Sequence, residues 1–254
     1  MPLRTIILAA GKGTRMKSDL VKVLHPLRGK PMLNYVVEVA MTAGSQDICA
    51  VVGYQADKVR EKFRDRNLIF IEQSEQLGTG HAVLQARERF NNYTGDVLIL
   101  CGDVPLLRAA TLRSLYACHQ KEKTAVTVLT TVLTHPAAGY GRIVKGPEGK
   151  VFKIVEERDA TEDEKKIKEI NTGIYCVEAG FLFEALGKID NKNAQKEYYL
   201  TDIVAIAHEN GARVGSLIAA DFQEVMGINT PQELEAAHRF LEVQGHGGKF
   251  DDNR

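Results

Sequence analysis

The first segment with an evident chemical capacity is the loop that follows the apolar run Thr5–Ala10. Gly11 and Gly13 open this loop, and glycines let backbone N–H groups approach an anionic ligand without a Cβ in the way. Between Gly11 and Pro31 the only acid is Asp19, whereas the cations are Lys12, Arg15, Lys17, Lys22, Arg28 and Lys30. This composition predicts a cradle for a polyphosphate, and the alternative is a solvated basic loop.

Two common phosphate-binding motifs do not fit this loop. A dinucleotide-binding fingerprint needs a third glycine where Met16 stands, and an acid at the end of the second strand, where Gly53-Tyr54 stands. A Walker A loop needs Lys-Ser or Lys-Thr after a second glycine four residues on, which Gly13-Thr14-Arg15 does not supply. The loop, about twenty residues long before a helix begins near Pro31, therefore indicates another kind of phosphate site.

The elements that position this loop alternate between buried strands and amphipathic helices. Continuous Val/Ile/Leu-rich runs predict strands of a sheet that is buried on both faces. The alternation of strands and helices predicts right-handed βαβ units. We therefore expect an α/β fold with a doubly wound, mostly parallel sheet. The predicted strands are Thr5–Ala10, Ile48–Gly53, Leu68–Ile71 and Val97–Cys101, and the predicted helices are Met32–Ala43, Ala56–Arg64, His81–Phe90 and Thr111–Lys121.

Beyond Thr124 the pattern changes to a β-hairpin insertion. Turn residues Gly146–Gly149 separate two strand-like runs, Arg142–Lys145 and Val151–Glu156. Residues 1–230 are expected to form one α/β domain, with a helix and a frayed tail over 231–254. The other predicted strands are Ala125–Leu133, Gly173–Val177, Val214–Ile218 and Glu224–Ile228, and the other helices are Gly180–Leu186, Thr201–Glu209 and Pro231–Val243, the last with Thr230 as N-cap.

Composition excludes several classes of protein. The chain has 254 residues, and its 33 Lys and Arg balance its 33 Asp and Glu, which removes the overall attraction expected of a nucleic-acid-coating protein. The four cysteines show no CxxC spacing, which favours reduced thiols in the cytoplasm over disulfides or structural zinc. No run of 18 apolar residues occurs, so no membrane span is expected. The oligomeric state stays open.

A series of short motifs, in order along nearly the whole chain, resembles the sugar-nucleotide pyrophosphorylase family. Within this family the chain is most similar to the uridyltransferase half of bacterial bifunctional enzymes that make UDP-N-acetylglucosamine. Each motif alone is weak, but their shared order is specific. The motifs are Leu8–Met16, Lys22–Leu27, Gln73–Ala82, Gly102–Leu106, Gly139–Ile143, Ile154–Glu156, Ile170–Gly173, Asn193–Asp202 and Gly227–Asn229.

Three departures from the family pattern are visible. Val21 stands where the family usually has proline before the lysine of the loop, and Cys101 stands where tyrosine is common before Gly-Asp. The left-handed β-helix that carries the acetyltransferase of the bifunctional enzymes is absent from these 254 residues. We therefore expect uridylyl transfer without acetyl transfer.

The resemblance implies a reaction between UTP and a sugar 1-phosphate, with Mg²⁺ as cofactor. It assigns Arg15 and Lys22 to catalysis, as cations for the phosphates. It assigns Asp103 and Asn229 to the metal; the alternative for each is a helix N-cap. The residues implied to bind substrate are Leu8, Ala9, Ala10, Gly11, Gly13, Gln73, Gly78, Thr79, Gly141, Glu156, Asn171 and Thr201.

Within this set, the resemblance and side-chain chemistry divide the roles. Gln73 carries a donor and an acceptor, which suits the Watson–Crick edge of uracil; the alternative is an ordinary polar strand end. Gly78 and Thr79 are implied to lie against the base and the ribose. Four others are implied to bind the sugar: Gly141 through its backbone, Glu156 at a hydroxyl, Asn171 near the acetamido group and Thr201 near the phosphate, unless Thr201 only caps the next helix.

Two rival functions remain compatible with the sequence. A nucleotidyltransferase of the same fold could use CTP or another sugar phosphate. A regulatory protein could bind a nucleotide without catalysis, although binding alone does not need Arg15, Lys22, Asp103 and Asn229 together. A glycosyltransferase is disfavoured because its Asp-x-Asp metal motif does not occur.

Overall fold

The computed structural model describes residues 3–134 and 139–247. The strands are β1 Leu3–Ala9, β2 Pro26–Leu27, β3 Lys30–Pro31, β4 Ser45–Val52, β5 Ile69–Glu72, β6 Asp96–Cys101, β7 Val126–Val132, β8 Arg142–Lys145, β9 Val151–Val155, β10 Glu169–Glu178 and β11 Val214–Ile218. The α-helices are α1 Met32–Thr42, α2 Ala56–Lys62, α3 Thr79–Leu84, α4 Ala109–Glu122, α5 Ala179–Leu186, α6 Asp202–Glu209 and α7 Pro231–Gly247.

The main sheet has the order β11-β7-β10-β6-β1-β4-β5, and β8 and β9 extend it as a hairpin beside β10. Strands β6, β1, β4 and β5 are parallel neighbours, as are β11 and β7. Strand β10 lies antiparallel between β6 and β7. The expected α/β class, the mostly parallel sheet and the hairpin insertion are therefore confirmed.

Helices cover both faces of the sheet, which explains the continuous apolar strands. Ile6 of β1 packs in a buried cluster with residues of α3, α5 and α6, whereas the adjacent Ile7 packs in a second cluster with residues of α1, α2 and α4. Successive strand residues point to opposite faces, so neither position of β1 is free to be polar. The ligand-binding residues are consequently left to the loops at the strand ends.

Several predicted elements differ from the observed ones. The strand expected at Glu224–Ile228 is wrong, because Phe222–Val225 forms a 3₁₀ helix. Glu224 is buried there and accepts hydrogen bonds from Arg108 N and Thr111 Oγ1 at the start of α4, a role that strand geometry does not provide. The helix expected over His81–Phe90 is interrupted, with α3 ending at Leu84 and a 3₁₀ helix at Arg87–Phe90.

The long loop and the last helix also differ from expectation. The loop before α1 contains 3₁₀ turns at Thr14–Met16 and Lys22–Leu24 and the small β2–β3 hairpin. Helix α7 continues to Gly247, beyond its expected end at Val243, and the rest of the expected tail lies outside the described residues. No helix in the described part of the chain is both long and apolar enough to cross a membrane.

Candidate active site

The loop after β1 places Lys22 through a close contact with Gly13. Gly13 has φ 68°, and a Cβ added there would lie 2.5 Å from the Cβ of Lys22. A larger residue would be strained by this φ and would also push Lys22 away. Gly13 therefore serves the position of a cation, whereas a Cβ at Gly11 would meet nothing within 4 Å.

Four side chains that are far apart in sequence meet at the carboxyl edge of the sheet. The Lys22 ammonium pairs with Oδ2 of Asp103, and both side chains are only 16% exposed. Lys22 Nζ also donates to Oδ1 of Asn229 at 3.0 Å, and Nη2 of Arg15 donates to the same oxygen at 2.9 Å. The two predicted cations and the two predicted metal ligands thus form one cluster.

The helix-cap alternative for Asn229 is wrong. Thr230 Oγ1 accepts from Glu233 N, and the Glu233 carboxylate accepts from the backbone N–H groups of Asn229 and Thr230 at 2.6 and 2.9 Å. This reciprocal pattern is a capping box, with Thr230 as the predicted N-cap of α7. The Asn229 side chain therefore does not cap α7 and bonds to Lys22 and Arg15 instead. The corresponding alternative for Asp103 is also wrong, because α4 begins only at Ala109.

The oxygen atoms of Asp103 and Asn229 fit a hard divalent cation. Asn229 Nδ2 donates to Gly227 O at 3.1 Å, which leaves Oδ1 turned toward Lys22 and Arg15. Ile228 N donates to Asp103 O at 2.8 Å, so the backbone ties the two segments together. Among the described residues no group of three or more His, Cys, Asp and Glu could hold a metal, so a cation at this position would take most of its ligands from phosphates and water.

A cavity of 290 Å³ extends from this cluster along the carboxyl ends of β1, β5 and β6. Most of the predicted nucleotide-binding residues line it. The lining residues are Leu8, Ala9, Ala10, Gly11, Lys22, Val23, Gln73, Gln76, Gly78, Thr79, Ala82, Cys101, Asp103 and Glu197. Ligands of open α/β sheets bind at this edge.

Gln73 stands at the end of the cavity that α3 borders. It is 3% exposed, and its Nε2 lies 3.1 Å from Gly78 O and 3.0 Å from Nδ1 of His81. If Gln73 donates both N–H groups to these two atoms, Oε1 is the atom of the amide left for a ligand.

The segment after Gln73 is packed tightly against residues 198–200. Gly78 has φ 114°, and a Cβ there would lie 2.6 Å from Tyr198 O. Gly80 N donates to Tyr198 O, and Tyr198 N donates to Leu77 O. The Thr79 hydroxyl accepts from Leu200 N at 3.0 Å, so Thr79 lines the cavity while its hydroxyl joins the two segments.

The four predicted sugar-binding residues lie outside that cavity lining, near β8–β10. Asn171 N donates to Gly141 O at 2.9 Å, and Thr201 Oγ1 donates to Glu156 Oε1 at 3.1 Å. Asn171 uses its side chain within β10, where Nδ2 donates to the Tyr175 hydroxyl and Oδ1 accepts from Gly173 N. These bonds stabilise the register shift of β10 between Asn171 and Ile174.

Acidic groups accumulate beside these residues. Burial raises the pKa of Glu156, and the nearby carboxylates of Asp202, Asp159 and Glu197 raise it further, against the Thr201 hydrogen bond. Burial also raises the pKa of Asp202 to about 6, helped by Asp190 and Asp159. Among the described residues, Glu156, Asp159, Glu197 and Asp202 form no ion pair like that of Lys22 with Asp103, whereas Asp190 pairs with Lys192.

Sequence reasoning did not assign five residues that line the cavity, namely Val23, Gln76, Ala82, Cys101 and Glu197. Gln76 was within reach of prediction, since it lies in the same loop as Gln73 and donates to Gln73 O at 3.2 Å. Cys101 ends β6, and burial raises the pKa of its thiol to about 12, so it is a neutral wall of the cavity. Glu197 is brought in only by the docking of residues 198–200.

A family model described as the MobA-like NTP transferase domain matches residues 5–156. The chain belongs to this family. The matched residues include the glycine loop, Gln73 and Asp103, whereas Asn171, Thr201 and Asn229 lie beyond them.

Curated relatives and a solved structure extend the family assignment. The chain is 55% identical over 239 residues to the "Bifunctional protein GlmU" of Geobacter metallireducens, and 44% identical over 241 residues to that of Clostridioides difficile. These matches cover 94% and 95% of this chain, but the chain spans about half the length of these relatives. A UDP-glucose pyrophosphorylase complexed with UDP-glucose has the same fold, with a TM-score of 0.74 at 17% identity over 96% of this chain and 100% of that one. The predicted resemblance to sugar-nucleotide pyrophosphorylases is confirmed.

Proposed function

We propose that this NTP transferase is a uridylyltransferase that converts UTP and N-acetylglucosamine 1-phosphate to UDP-N-acetylglucosamine and pyrophosphate. The observation that carries the proposal is the cluster of Arg15, Lys22, Asp103 and Asn229 beside a cavity that Lys22, Asp103 and Gln73 line. The cations of this cluster suit a triphosphate, and the side-chain amide of Gln73 suits a pyrimidine base.

The chemistry requires no general base. The attacking oxygen belongs to the sugar phosphate, which is already ionised at neutral pH. It forms a bond to the α-phosphorus of UTP while the bond from that phosphorus to the pyrophosphate oxygen breaks. Charge gathers on the α-phosphate and on the leaving pyrophosphate, so Arg15 and Lys22 accelerate the step by neutralising it.

Lys22 must exchange partners during this cycle. Lys22 is held by Asp103 and Asn229, and a bound triphosphate would offer it phosphate oxygens instead. With the cations on a triphosphate, the Asp103 carboxylate and the Asn229 amide oxygen would hold Mg²⁺, and the ion would neutralise charge on the phosphates. Metal binding should therefore depend on the nucleotide.

Two further assignments complete the site. Oε1 of Gln73 would accept from N3–H of uracil, and Gly78 and Thr79 would lie against the base and the ribose. The residues along the phosphates would be Leu8, Ala9, Ala10, Gly11 and Gly13. On the sugar side, Gly141, Glu156, Asn171 and Thr201 would surround the N-acetylglucosamine moiety. Glu156 suits a sugar hydroxyl because a carboxylate accepts hydrogen bonds.

The names of the relatives support the choice of substrate over the two rivals. Proteins named as bifunctional GlmU are 44 to 55% identical to this chain. A transferase for CTP or another sugar phosphate would share the charge cluster, so it differs only at Gln73 and at the sugar side. A regulatory protein would have no need of the metal ligands. The four unpaired cysteines agree with a cytoplasmic location, which we propose.

The test is a matrix of pyrophosphate release from four nucleoside triphosphates with N-acetylglucosamine, glucosamine, glucose and mannose 1-phosphates. We expect the largest kcat/KM for UTP with N-acetylglucosamine 1-phosphate, and no release after Mg²⁺ is chelated. Faster release from another pair would replace the substrate assignment. Nucleotide binding without release from any pair would favour the regulatory protein.

A further inference from the structure

The His81 ring lies between two side-chain amides. Its Nδ1 is 3.0 Å from Nε2 of Gln73, and its Nε2 is 3.0 Å from Nε2 of Gln85. His81 belongs to α3 and is outside the lining of the cavity. It therefore acts on a ligand only through Gln73.

The ring chemistry makes the two contacts mutually dependent. A neutral imidazole has one N–H donor and one acceptor nitrogen, so it cannot accept from both amides. If Gln73 donates to Nδ1, the proton is on Nε2 and Gln85 must present its oxygen there. If Gln85 donates to Nε2, the proton is on Nδ1 and Gln73 must turn its oxygen to the ring. The orientation of the Gln73 amide is thus linked to that of Gln85.

The surroundings favour the first arrangement. Nε2 of Gln73 also lies 3.1 Å from Gly78 O, and Gln73 is only 3% exposed. Turning its amide would therefore place Oε1 against Gly78 O in a buried place, which is unfavourable. Gln85 also donates to His81 O at 3.0 Å, but it is half-buried, and water can replace that partner when its amide turns. The half-turn that costs less is therefore at Gln85.

We propose that His81, with its proton on Nε2, is a positioning residue that keeps the oxygen of the Gln73 amide toward the cavity and thereby selects uracil over cytosine. Uracil has a hydrogen on N3 and donates to an amide oxygen, whereas N3 of cytosine is an acceptor and meets that oxygen without a hydrogen bond. If the Gln73 amide were turned, its N–H group would face the cavity and could donate to N3 of cytosine. This inference rests on the proposed use of UTP and adds the control of base choice.

The decisive variants are a matched pair at Gln85, outside the cavity. Gln85→Glu can only accept, so it keeps the proton on Nε2 and should leave the UTP-to-CTP ratio of kcat/KM at least as high as in the wild type. Gln85→Lys can only donate, so it drives the proton to Nδ1 and should lower that ratio about 5- to 150-fold, the range of one buried hydrogen bond. The added charges affect UTP and CTP equally, so they cancel in the ratio.

Two further readouts separate positioning from folding. His81→Leu removes the acceptor and should lower the same ratio, whereas thermal melts identify any variant that loses its fold. Nitrogen-15 NMR of the imidazole in the intact chain should find the proton on Nε2 in the wild type and in Gln85→Glu, and on Nδ1 in Gln85→Lys.

Each outcome has a distinct meaning. A wild type that releases no pyrophosphate from UTP would overturn the proposed function, and this inference with it. An active wild type with equal UTP-to-CTP ratios in the folded Glu and Lys variants would overturn only the role of His81. The same conclusion would follow if the NMR spectra placed the proton on Nδ1 of the wild type.

Discussion

The proposed nucleotide side and the proposed sugar side of the site have opposite electrostatics. On the nucleotide side, Lys22 and Arg15 surround the oxygens of Asp103 and Asn229, and the loop before α1 adds further cations. On the sugar side, Glu156 and the nearby Asp159, Glu197 and Asp202 form no ion pair within the part of the chain that the structure describes, and the pKa of Glu156 is raised by burial. A polyphosphate needs positive charge, whereas sugar hydroxyls can donate to carboxylates.

The two sides also differ in how the chain builds them. The nucleotide side uses the carboxyl ends of strands in the parallel run β6-β1-β4-β5, so β1, β5 and β6 deliver their loops to one edge. The sugar side uses the β8–β9 hairpin, the irregular β10 and the loop before α6. The first arrangement follows from topology, and the second depends on individual hydrogen bonds. Substitutions should therefore have separable effects on the two substrates.

The largest effect is expected at Asp103. Asp103→Asn should lower kcat by about 10²–10³, because it removes the charged metal ligand and the counter-charge that holds Lys22. Pyrophosphate release at saturating substrates measures the change. Asp57→Asn, at an exposed carboxylate on α2, is the matched control. Normal turnover of the Asp103→Asn variant would contradict the assignment of Asp103 as a metal ligand.

The next effect is expected at Gln73. Gln73→Ala should lower kcat/KM for UTP about 5- to 150-fold, the range for loss of a buried hydrogen-bond pair, and it should narrow the preference over CTP. The KM for the sugar phosphate should stay unchanged. Gln46→Ala, at an exposed site on β4, serves as the control. Unchanged UTP kinetics would show that Gln73 does not bind the base.

A smaller effect with the opposite substrate dependence is expected at Glu156. Glu156→Gln keeps an oxygen for Thr201 but loses the charge, so the KM for the sugar 1-phosphate should rise about tenfold while the KM for UTP is unchanged. Initial rates with each substrate varied in turn measure this division. The control is Glu148→Gln in the exposed hairpin turn. A rise in both KM values would mean that the two sides are not separable.

A milder effect on metal dependence is expected at Asn229. Asn229→Ala removes a neutral ligand and should raise the Mg²⁺ concentration for half-maximal activity several-fold, with the melting temperature unchanged. Thr230→Ala is its counterpart, since it removes the N-cap of α7 and should cost about 0.5–2 kcal/mol of stability without changing the Mg²⁺ titration. The reverse pattern would return Asn229 to a structural role.

The smallest effect on activity, and a distinct effect on stability, is expected at Asp202. Its pKa rises from 3.8 to about 6 on folding, so the folded state binds more protons between these values and loses stability as pH increases through that window. Asp202→Asn should therefore raise the free energy of unfolding by about 1–3 kcal/mol at pH 7, with little gain near pH 4. Urea denaturation at both pH values measures this, with exposed Asp163→Asn as control. An equal gain at both pH values would contradict the pKa.

The sequence predicts the parallel half of the molecule well for a physical reason. Strands β1, β4 and β6 are covered on both faces, so their residues must be apolar in continuous runs. The strand predicted at Glu224–Ile228 is wrong, because a buried acid that bonds to the start of α4 has no signature in the neighbouring sequence. The docking of Thr79 onto Leu200 was equally hidden, since it joins segments that share no periodic pattern.

The contact between Gly13 and Lys22 has a consequence for how the loop tolerates mutation. Because the obstacle at Gly13 is the protein's own lysine side chain, substitution should be harmful even where no nucleotide is present. A saturation library sorted by cellular abundance alone should therefore deplete Gly13 variants, while variants of Gly11, which faces open space, should pass that selection and fail only when growth depends on catalysis. The two glycines, two residues apart, would then report separately on the shape of the loop and on its ligand.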